Sequence, residues 1–243
     1  MRNPHNWRPT KFQFRGDRLR SSLDASEVGV GSRLVADLVA SRYQEHLRNH
    51  ARGRLLDLGS GKVPLYEAYR ELVSDVVCVD WADGDHIDRV CDLSDPLPFA
   101  SSTFETIVCS DVLEHLFEPA LVWREMSRVL SPGGTVLMNV PFLYPIHAHP
   151  HDYFRYTGFA LDRFARMNSL EVLVLEPVGG LLEVIADIAG KAIAKGPVVG
   201  PALAAVQQAM VIAWTRSAWG RRIAVATARN YPLGYFMVVS KGR

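Results

Sequence analysis

An α/β domain, its mostly parallel sheet covered on both faces by helices, is the fold class this sequence predicts. Three observations predict it. The apolar runs are continuous rather than alternating, segments of helical periodicity separate them, and glycines or aspartates stand where several runs end. At 243 residues with 48% apolar content, the chain is ordinary globular material, long enough to bury a sizeable core.

The first 33 residues are basic, with Arg2, Arg8, Lys11, Arg15, Arg18, Arg20 and Arg33 against Asp17, Asp24 and Glu27. They contain no apolar core of a signal peptide and read as a partly ordered basic extension, a nucleic-acid arm being the alternative. The formal charge of +1 gives no global field for nucleic acid, which argues against such a partner. The remainder, 34–243, reads as one domain.

Leu34, Val35, Leu38, Val39, Tyr43 and Leu47 recur at helical spacing and predict a helix over about 32–49. Seven strand-like runs follow, at 54–58, 75–80, 86–91, 105–110, 135–140, 170–177 and 234–240. Helices are expected near 65–73, 119–130 and 159–168. Pro119 suits a first helical position, and "SPGG" at 131–134 should stop that helix before the next strand.

Between the last two strands lies a helical insertion, 180–231. Glu183, Asp187, Lys191 and Lys195 stand four apart and form one narrow polar stripe on an otherwise apolar helix. "PALAAVQQAMVIAW", 201–214, ends beside Trp214, Arg216, Trp219, Arg221 and Arg222. A membrane span needs about 20 apolar residues, and Gln207 and Gln208 interrupt this one. Three readings stand: a hairpin covering the active site or pairing two subunits through 180–230, a peripheral membrane contact through 201–222, or core filler. Cys78, Cys91 and Cys109 lack metal-ligand or redox spacing and read as thiols of a reducing cytoplasm.

Ligands of open α/β sheets bind at the carboxyl ends of the strands. Four motifs fall there: Gly59 and Gly61 after the first strand, Asp80 ending the second, Asp92 and Leu93 after the third, Ser110 and Asp111 after the fourth. A dinucleotide fingerprint needs a third small residue where this chain has Pro64, and Asp57 sits at the strand end facing the loop. That combination suits a cofactor with a cationic amino-acid end and no phosphate.

"LLDLGSG", "VCVDW", "CDLSDPLPFASSTFETIVCSDVLEHL" and "EMSRVLSPGGTVLMNVP" resemble the successive motifs of class I S-adenosylmethionine-dependent methyltransferases of the type 11-like kind. The resemblance spans roughly 50–177 plus the final strand. It implies a doubly wound, mostly parallel, seven-stranded Rossmann-like sheet with the last strand antiparallel. It also implies S-adenosylmethionine as cofactor. Asp57, Gly59 and Gly61 would line its methionine portion, and Ser60 stands where relatives often have cysteine. Asp80 would bind the ribose hydroxyls, Trp81 would lie against adenine or ribose, and Asp92 and Leu93 would meet the adenine. Ser110 and Asp111 would border the reacting end. The stiffer "GKVP" departs from the usual glycine-rich continuation. Methyltransferases of nucleobase amines carry an Asn/Asp-Pro-Pro-aromatic motif where this chain reads "SDVL", which counts against that substrate class.

After the fifth strand, "NVPFLYPIHAHPHDYFRYT" (139–157) gathers His147, His149, His151, Asp152, Tyr153, Arg155 and Tyr156 at the binding edge. Histidine titrates near neutral pH, so His151 or His149 is the expected base, with Asp152 orienting it. His147, Tyr153, Arg155, Tyr156 and His115 are the expected substrate contacts. The histidines match metal-ligand spacing only loosely, and no metal is expected. The expected reaction is methyl transfer to a small-molecule or glycan-type acceptor at oxygen. A non-catalytic cofactor-binding module and an RNA methyltransferase are the alternatives.

Overall fold

The computed structural model describes residues 1–242. Its first segment corrects the expectation of a partly ordered extension. Among the arginines stand Trp7, Phe12, Leu19 and Val28, all buried. They fold β1 (Phe12–Arg15) and β2 (Arg18–Ser21) into an antiparallel hairpin turning at Gly16, whose φ is +65°. The Trp7 indole donates to the Val63 carbonyl at 3.1 Å and so fixes the segment to the domain.

α1 (Arg33–His50) carries the predicted periodicity, burying Leu34, Val39, Tyr43 and Leu47. β3 (Arg54–Leu58) follows, then α2 (Tyr66–Tyr69), a single turn where a helix over 65–73 is expected. The shortfall is at its far end, where Leu72 N–H turns back onto the Tyr69 carbonyl at 2.9 Å and Ser74 N–H onto the Gly53 carbonyl at 2.8 Å. β4 (Asp75–Asp80) is full length, but β5 is only Arg89–Val90, because a turn closed from Ile87 N–H to the Gly84 carbonyl takes the rest of 86–91. β6 (Phe104–Ser110) and α3 (Pro119–Val129) lead to β7 (Leu130–Pro141). β7 begins five residues before the expected 135. Leu130 pairs with Phe104 and regular pairing resumes at Thr106 with Thr135, so "SPGG" is an irregularity within the strand rather than a break before it. α4 (Gly158–Met167) and β8 (Leu170–Val178) close the conventional part.

The insertion forms α5 (Leu181–Ala194), α6 (Gly200–Thr215) and α7 (Ala218–Ala228), and β9 (Gly234–Lys241) ends the described chain. The sheet order is β5-β4-β3-β6-β7-β9-β8. Strands β3 to β7 run parallel, while β9 is antiparallel to both of its neighbours. The domain is thus Rossmann-like and doubly wound.

Successive residues of the parallel strands are buried on opposite faces. Leu56, Leu58, Ile107, Cys109, Val136 and Met138 share a core with Trp123 and Met126 of α3 and Leu161 of α4. Leu55, Cys78, Val108 and Leu137 share the other with Tyr43 and Leu47 of α1, Tyr69 of α2 and the N-terminal Trp7 and Phe12. Burial on both faces is why the sequence reads as unbroken apolar runs.

In the insertion the polar stripe turns inward. Glu183 and Asp187 are 1% and 0% exposed, Lys191 is largely covered beside them, and Lys195 is exposed. Glu183 caps its own helix by accepting from Gly180 N–H at 3.0 Å, and Asp187 pairs with Lys191. Outward face Ile185, Ile188, Leu203, Val206, Met210 and Trp219. α5 sits so close to the turn before α1 that a Cβ on Gly31 would meet Gly190 backbone at 2.7 Å. Among the described residues, no helix is long and apolar enough to cross a membrane, and the three cysteines are unbridged.

Gln208 of α6 ties the insertion to the domain. Its side-chain carbonyl accepts from Leu34 N–H at 2.9 Å, serving the otherwise unpartnered first turn of α1, while its amide donates to the Ala186 carbonyl at 3.3 Å. Gln208 is 1% exposed, so water cannot substitute. Gln208→Leu should lower stability by about 1–3 kcal/mol. Urea denaturation read by far-ultraviolet circular dichroism checks it, and an unchanged midpoint would remove Gln208 as a tie.

Candidate active site

The strand order reverses between β3 and β6, and the crevice opens at their carboxyl ends. Gly59 ends the β3 side at φ +63°, and a Cβ there would stand 2.6 Å from Val112 Cγ2 on the β6 side. Gly61, at φ +51°, faces open space. Asp80 secures the loop between them: one carboxylate oxygen accepts from Gly61 N–H at 2.8 Å, the other from Ala82 N–H at 3.1 Å. Ser60 is turned under the loop, its hydroxyl on the Val79 carbonyl at 3.2 Å.

Asp57 lies deeper than the sequence suggests. It is 3% exposed and accepts from the Tyr69 hydroxyl at 2.7 Å. Burial pushes its carboxyl up to about 7; the Tyr69 hydrogen bond opposes this and the nearby Asp80 charge adds to it. Neither Asp57 nor Ser60 lines either of the two cavities of the crevice; Ser60 holds the loop from beneath and Asp57 is buried under it.

Two cavities meet in the crevice. The first, about 450 Å³, is bounded by Gly59, Asp80, Trp81, Asp92, Leu93, Val112, Phe117, His151 and Tyr153. Trp81 is 70% exposed, and its ring meets His151 edge-on at 5.5 Å. Asp92 accepts from Ser94 N–H at 2.8 Å. The second cavity, about 300 Å³, has an apolar wall of Val28, Val35, Val39, Val140, Val178 and Leu233 and a polar end of Lys11, Asn139, Tyr144 and His147. Asp111 and His115 line both. No residue of α5, α6 or α7 lines the second cavity, so the insertion does not cover it as one sequence reading expects. It braces the wall instead, Lys191 lying 3.7 Å from the centre of the Tyr144 ring.

Asp111 stands at φ +51°, held on three sides. Its N–H donates to the Asn139 carbonyl at 3.1 Å, one carboxylate oxygen accepts from the Asn139 amide, and the other pairs with Lys11 at 2.7 Å. Burial pulls the Lys11 ammonium down, but the pairing with Asp111 outweighs it and leaves the ammonium above its ordinary range. Tyr43 and Ser110 hydroxyls both donate to the Asn139 side-chain carbonyl at 2.8 Å.

The histidine loop is arranged differently from the sequence reading. Asp152 orients neither His151 nor His149. It accepts two hydrogen bonds from Arg155 and one from His147 N–H at 2.9 Å, and the guanidinium holds its carboxyl well below the usual range. Arg155 is consumed by this pair and by the carbonyls of Tyr144, Phe154 and Pro145. Tyr156 is buried and donates to the Leu113 carbonyl at 3.0 Å, so it supports the loop rather than a substrate. His149 is exposed and lines neither cavity. His151 faces the first cavity, with Nδ1 3.1 Å from the Tyr153 hydroxyl. His147 takes the junction instead, beside His115 and the fully buried Glu114. Glu114 raises the His147 imidazole above its ordinary value against the opposing effect of burial.

Lys11, Asn139, Tyr144 and Glu114 are site residues that sequence reasoning passes over. A signal existed for three of them: Glu114 adjoins His115 in "VLEHL", and Asn139 and Tyr144 lie in the histidine segment.

Residues 56–138 match the family model described as a methyltransferase domain. Over 94 residues the chain is 31% identical to a demethylmenaquinone methyltransferase of Renibacterium salmoninarum, covering 35% of this chain and 40% of that protein. Over 103 residues it is 28% identical to a ubiquinone biosynthesis O-methyltransferase of Xanthomonas euvesicatoria pv. vesicatoria, covering 37% and 43%. The chain thus spans about two fifths of the length of the curated relatives it matches. Among solved structures, the cyclase SpnF superposes with a TM-score of 0.55 at 16% identity, covering 96% of this chain and 88% of that one. A geranyl diphosphate methyltransferase in complex with SAM superposes with a TM-score of 0.54 at 17% identity, covering 90% and 93%. These structural likenesses carry the fold alone.

Because the Asp57 carboxyl is held up to about 7, above the roughly 4 of an unfolded aspartate, the native state binds the extra proton between those values. Stability contributed by neutral Asp57 is therefore complete below about pH 4 and is lost as pH rises toward 7, by roughly 4 kcal/mol in all. Asp57→Asn should flatten the fall in melting temperature across this window, and a wild-type slope in the variant would contradict the assignment.

Proposed function

We propose that this chain is a class I S-adenosylmethionine-dependent methyltransferase, a reading that the domain match over 56–138 and the fold support, and that it methylates a hydroxyl of a small molecule with an apolar ring. The observation that carries this reading is the meeting of two cavities at Asp111 and His115, one walled like a cofactor site and the other like an acceptor site.

The residues present fit the cofactor. Gly59 leaves no room for a side chain, Gly61 opens onto space where a ligand can approach the backbone, and Asp80 and Asp92 bring two carboxylates to a cavity with Trp81 at its rim. Asp80 would hold the ribose hydroxyls, Asp92 and Leu93 the adenine, and Gly59 the methionine portion. When bound, S-adenosylmethionine supplies a methyl group on a positively charged sulfur, so that the acceptor's new oxygen–carbon bond forms as the sulfur–carbon bond breaks. The protein's task is then alignment of the nucleophile and removal of its proton.

The acceptor cavity favours a ring over a sugar. A glycan would turn hydroxyls toward Val28, Val35, Val39 and Val140, which offer no partners, and each such burial costs free energy. A phenol or quinol instead matches an apolar wall with one polar end. Two relatives are named for demethylmenaquinone and ubiquinone biosynthesis, which supports a quinone-type acceptor. Lys11 and Asn139 hold Asp111 at the junction, and the hydroxyl's proton leaves at the cluster of His115, His147 and Glu114.

Radiolabelled methyl transfer should proceed to phenols and catechols and not to hexoses; the reverse preference sinks the acceptor reading. Val35→Phe, which fills the apolar wall, should raise the acceptor KM about tenfold or more and leave S-adenosylhomocysteine affinity within about twofold. Asp80→Ala should weaken S-adenosylhomocysteine binding by about 1–3 kcal/mol in calorimetric titration.

A further inference from the structure

The fully buried Glu114 is an anomaly in ordinary terms. Both of its carboxylate oxygens are shielded from solvent, and neither has a hydrogen-bond donor. An unsatisfied buried carboxylate is among the costlier features a fold can carry. The groups that face it are two imidazoles. His115 Nε2 and His147 Nε2 each stand 3.7 Å from Glu114 Oε1, beyond hydrogen-bonding reach. The two rings meet edge to face at 4.9 Å, and all three donor atoms lie within 4.8 Å of one another.

We propose that Glu114, His115 and His147 bind a divalent transition-metal ion of the zinc type at the polar end of the acceptor cavity. Ligand atoms about 2.0–2.2 Å from a common ion stand about 3.3–3.8 Å apart at tetrahedral to trigonal angles, a range that includes the 3.7 Å from Glu114 Oε1 to each imidazole. Two imidazoles and one carboxylate are a donor set for zinc or iron rather than for calcium or magnesium.

The surroundings are those of ligating histidines. A metal-bound imidazole directs its second nitrogen to a backbone carbonyl or a carboxylate. His115 Nδ1 donates to the His151 carbonyl at 2.5 Å. His147 Nδ1 lies 3.4 Å from Asp152 Oδ2, a carboxylate that Arg155 keeps ionised. Asp152 and Arg155 are thus positioning residues for His147. Three protein ligands leave a position open toward the cavity that His115 and His147 line, as in catalytic rather than structural sites.

The metal's role deepens the reading of this cavity as an acceptor site and rests on it; the binding of the ion does not. The acceptor's hydroxyl oxygen takes the open position, the ion stabilises the oxyanion, and the O–H proton passes to water at the cavity mouth. The oxygen is then a competent nucleophile near neutral pH without a free imidazole acting as base.

The test uses the whole chain, stripped with a chelator and titrated with Zn²⁺ by calorimetry and with Co²⁺ by visible absorption. One ion per chain is expected, with the intense visible bands of a low-coordinate cobalt centre. Glu114→Gln and His147→Ala should each weaken binding by at least about tenfold, while His149→Ala, outside the cluster, leaves it unchanged. If Glu114→Gln fails to fold, His147→Ala on the half-buried loop decides. Absence of saturable binding by the folded chain, or wild-type affinity in His147→Ala, overturns the site. A parallel S-adenosylhomocysteine titration separates the two readings. Cofactor binding without the ion removes the metal site alone, and ion binding without the cofactor removes the methyltransfer reading alone.

Discussion

A carboxylate at the edge of an apolar sheet needs donors around it, and the way Asp111 obtains them organises much of this molecule. Lys11 comes from the N-terminal hairpin, Asn139 from β7, and Asn139 is itself fixed by Tyr43 of α1 and Ser110 of β6. Four separate elements therefore converge on one acidic side chain. The convergence sets the wall between two cavities and makes the basic N-terminal segment part of the site. A strained backbone at Asp111 is tolerated because three interactions determine it together.

The same convergence explains what could be read from the sequence. The parallel sheet was legible because β3, β4, β6 and β7 are buried on both faces, which leaves an unbroken apolar trace. Gly59, Asp80 and Asp92 were legible because the backbone itself puts strand ends at the crevice. Lys11 was not: its partner is 100 residues away, and a lysine in a basic arm carries no local mark of that pairing. The roles within the histidine loop were equally opaque. Which of His147, His149 and His151 faces inward depends on Arg155 claiming Asp152 and on Tyr156 anchoring on the Leu113 carbonyl, both tertiary choices.

The polar stripe of α5 was visible as spacing but not as direction. A stripe four residues apart is symmetrical between facing water and facing a polar seam, and only the neighbours decide. Here the neighbours are Gln207, Gln208 and the tight turn at Gly31, so charge goes in and aliphatic surface goes out. The seam is specified by hydrogen bonds, which have fixed partners, rather than by apolar contact, which does not.

The Gln208 contact with Leu34 carries a consequence for how the chain is made. Of the long helices described, α1 is synthesised before the others, yet the side chain serving its first turn is encoded 174 residues later. At about 5–20 residues per second, some 10–35 s of synthesis separate the two. During that interval the nascent helix starts with an exposed amide that only water can serve. Vectorial synthesis thus leaves the helix whose Val35 and Val39 line the second cavity unfinished until the insertion has emerged and docked.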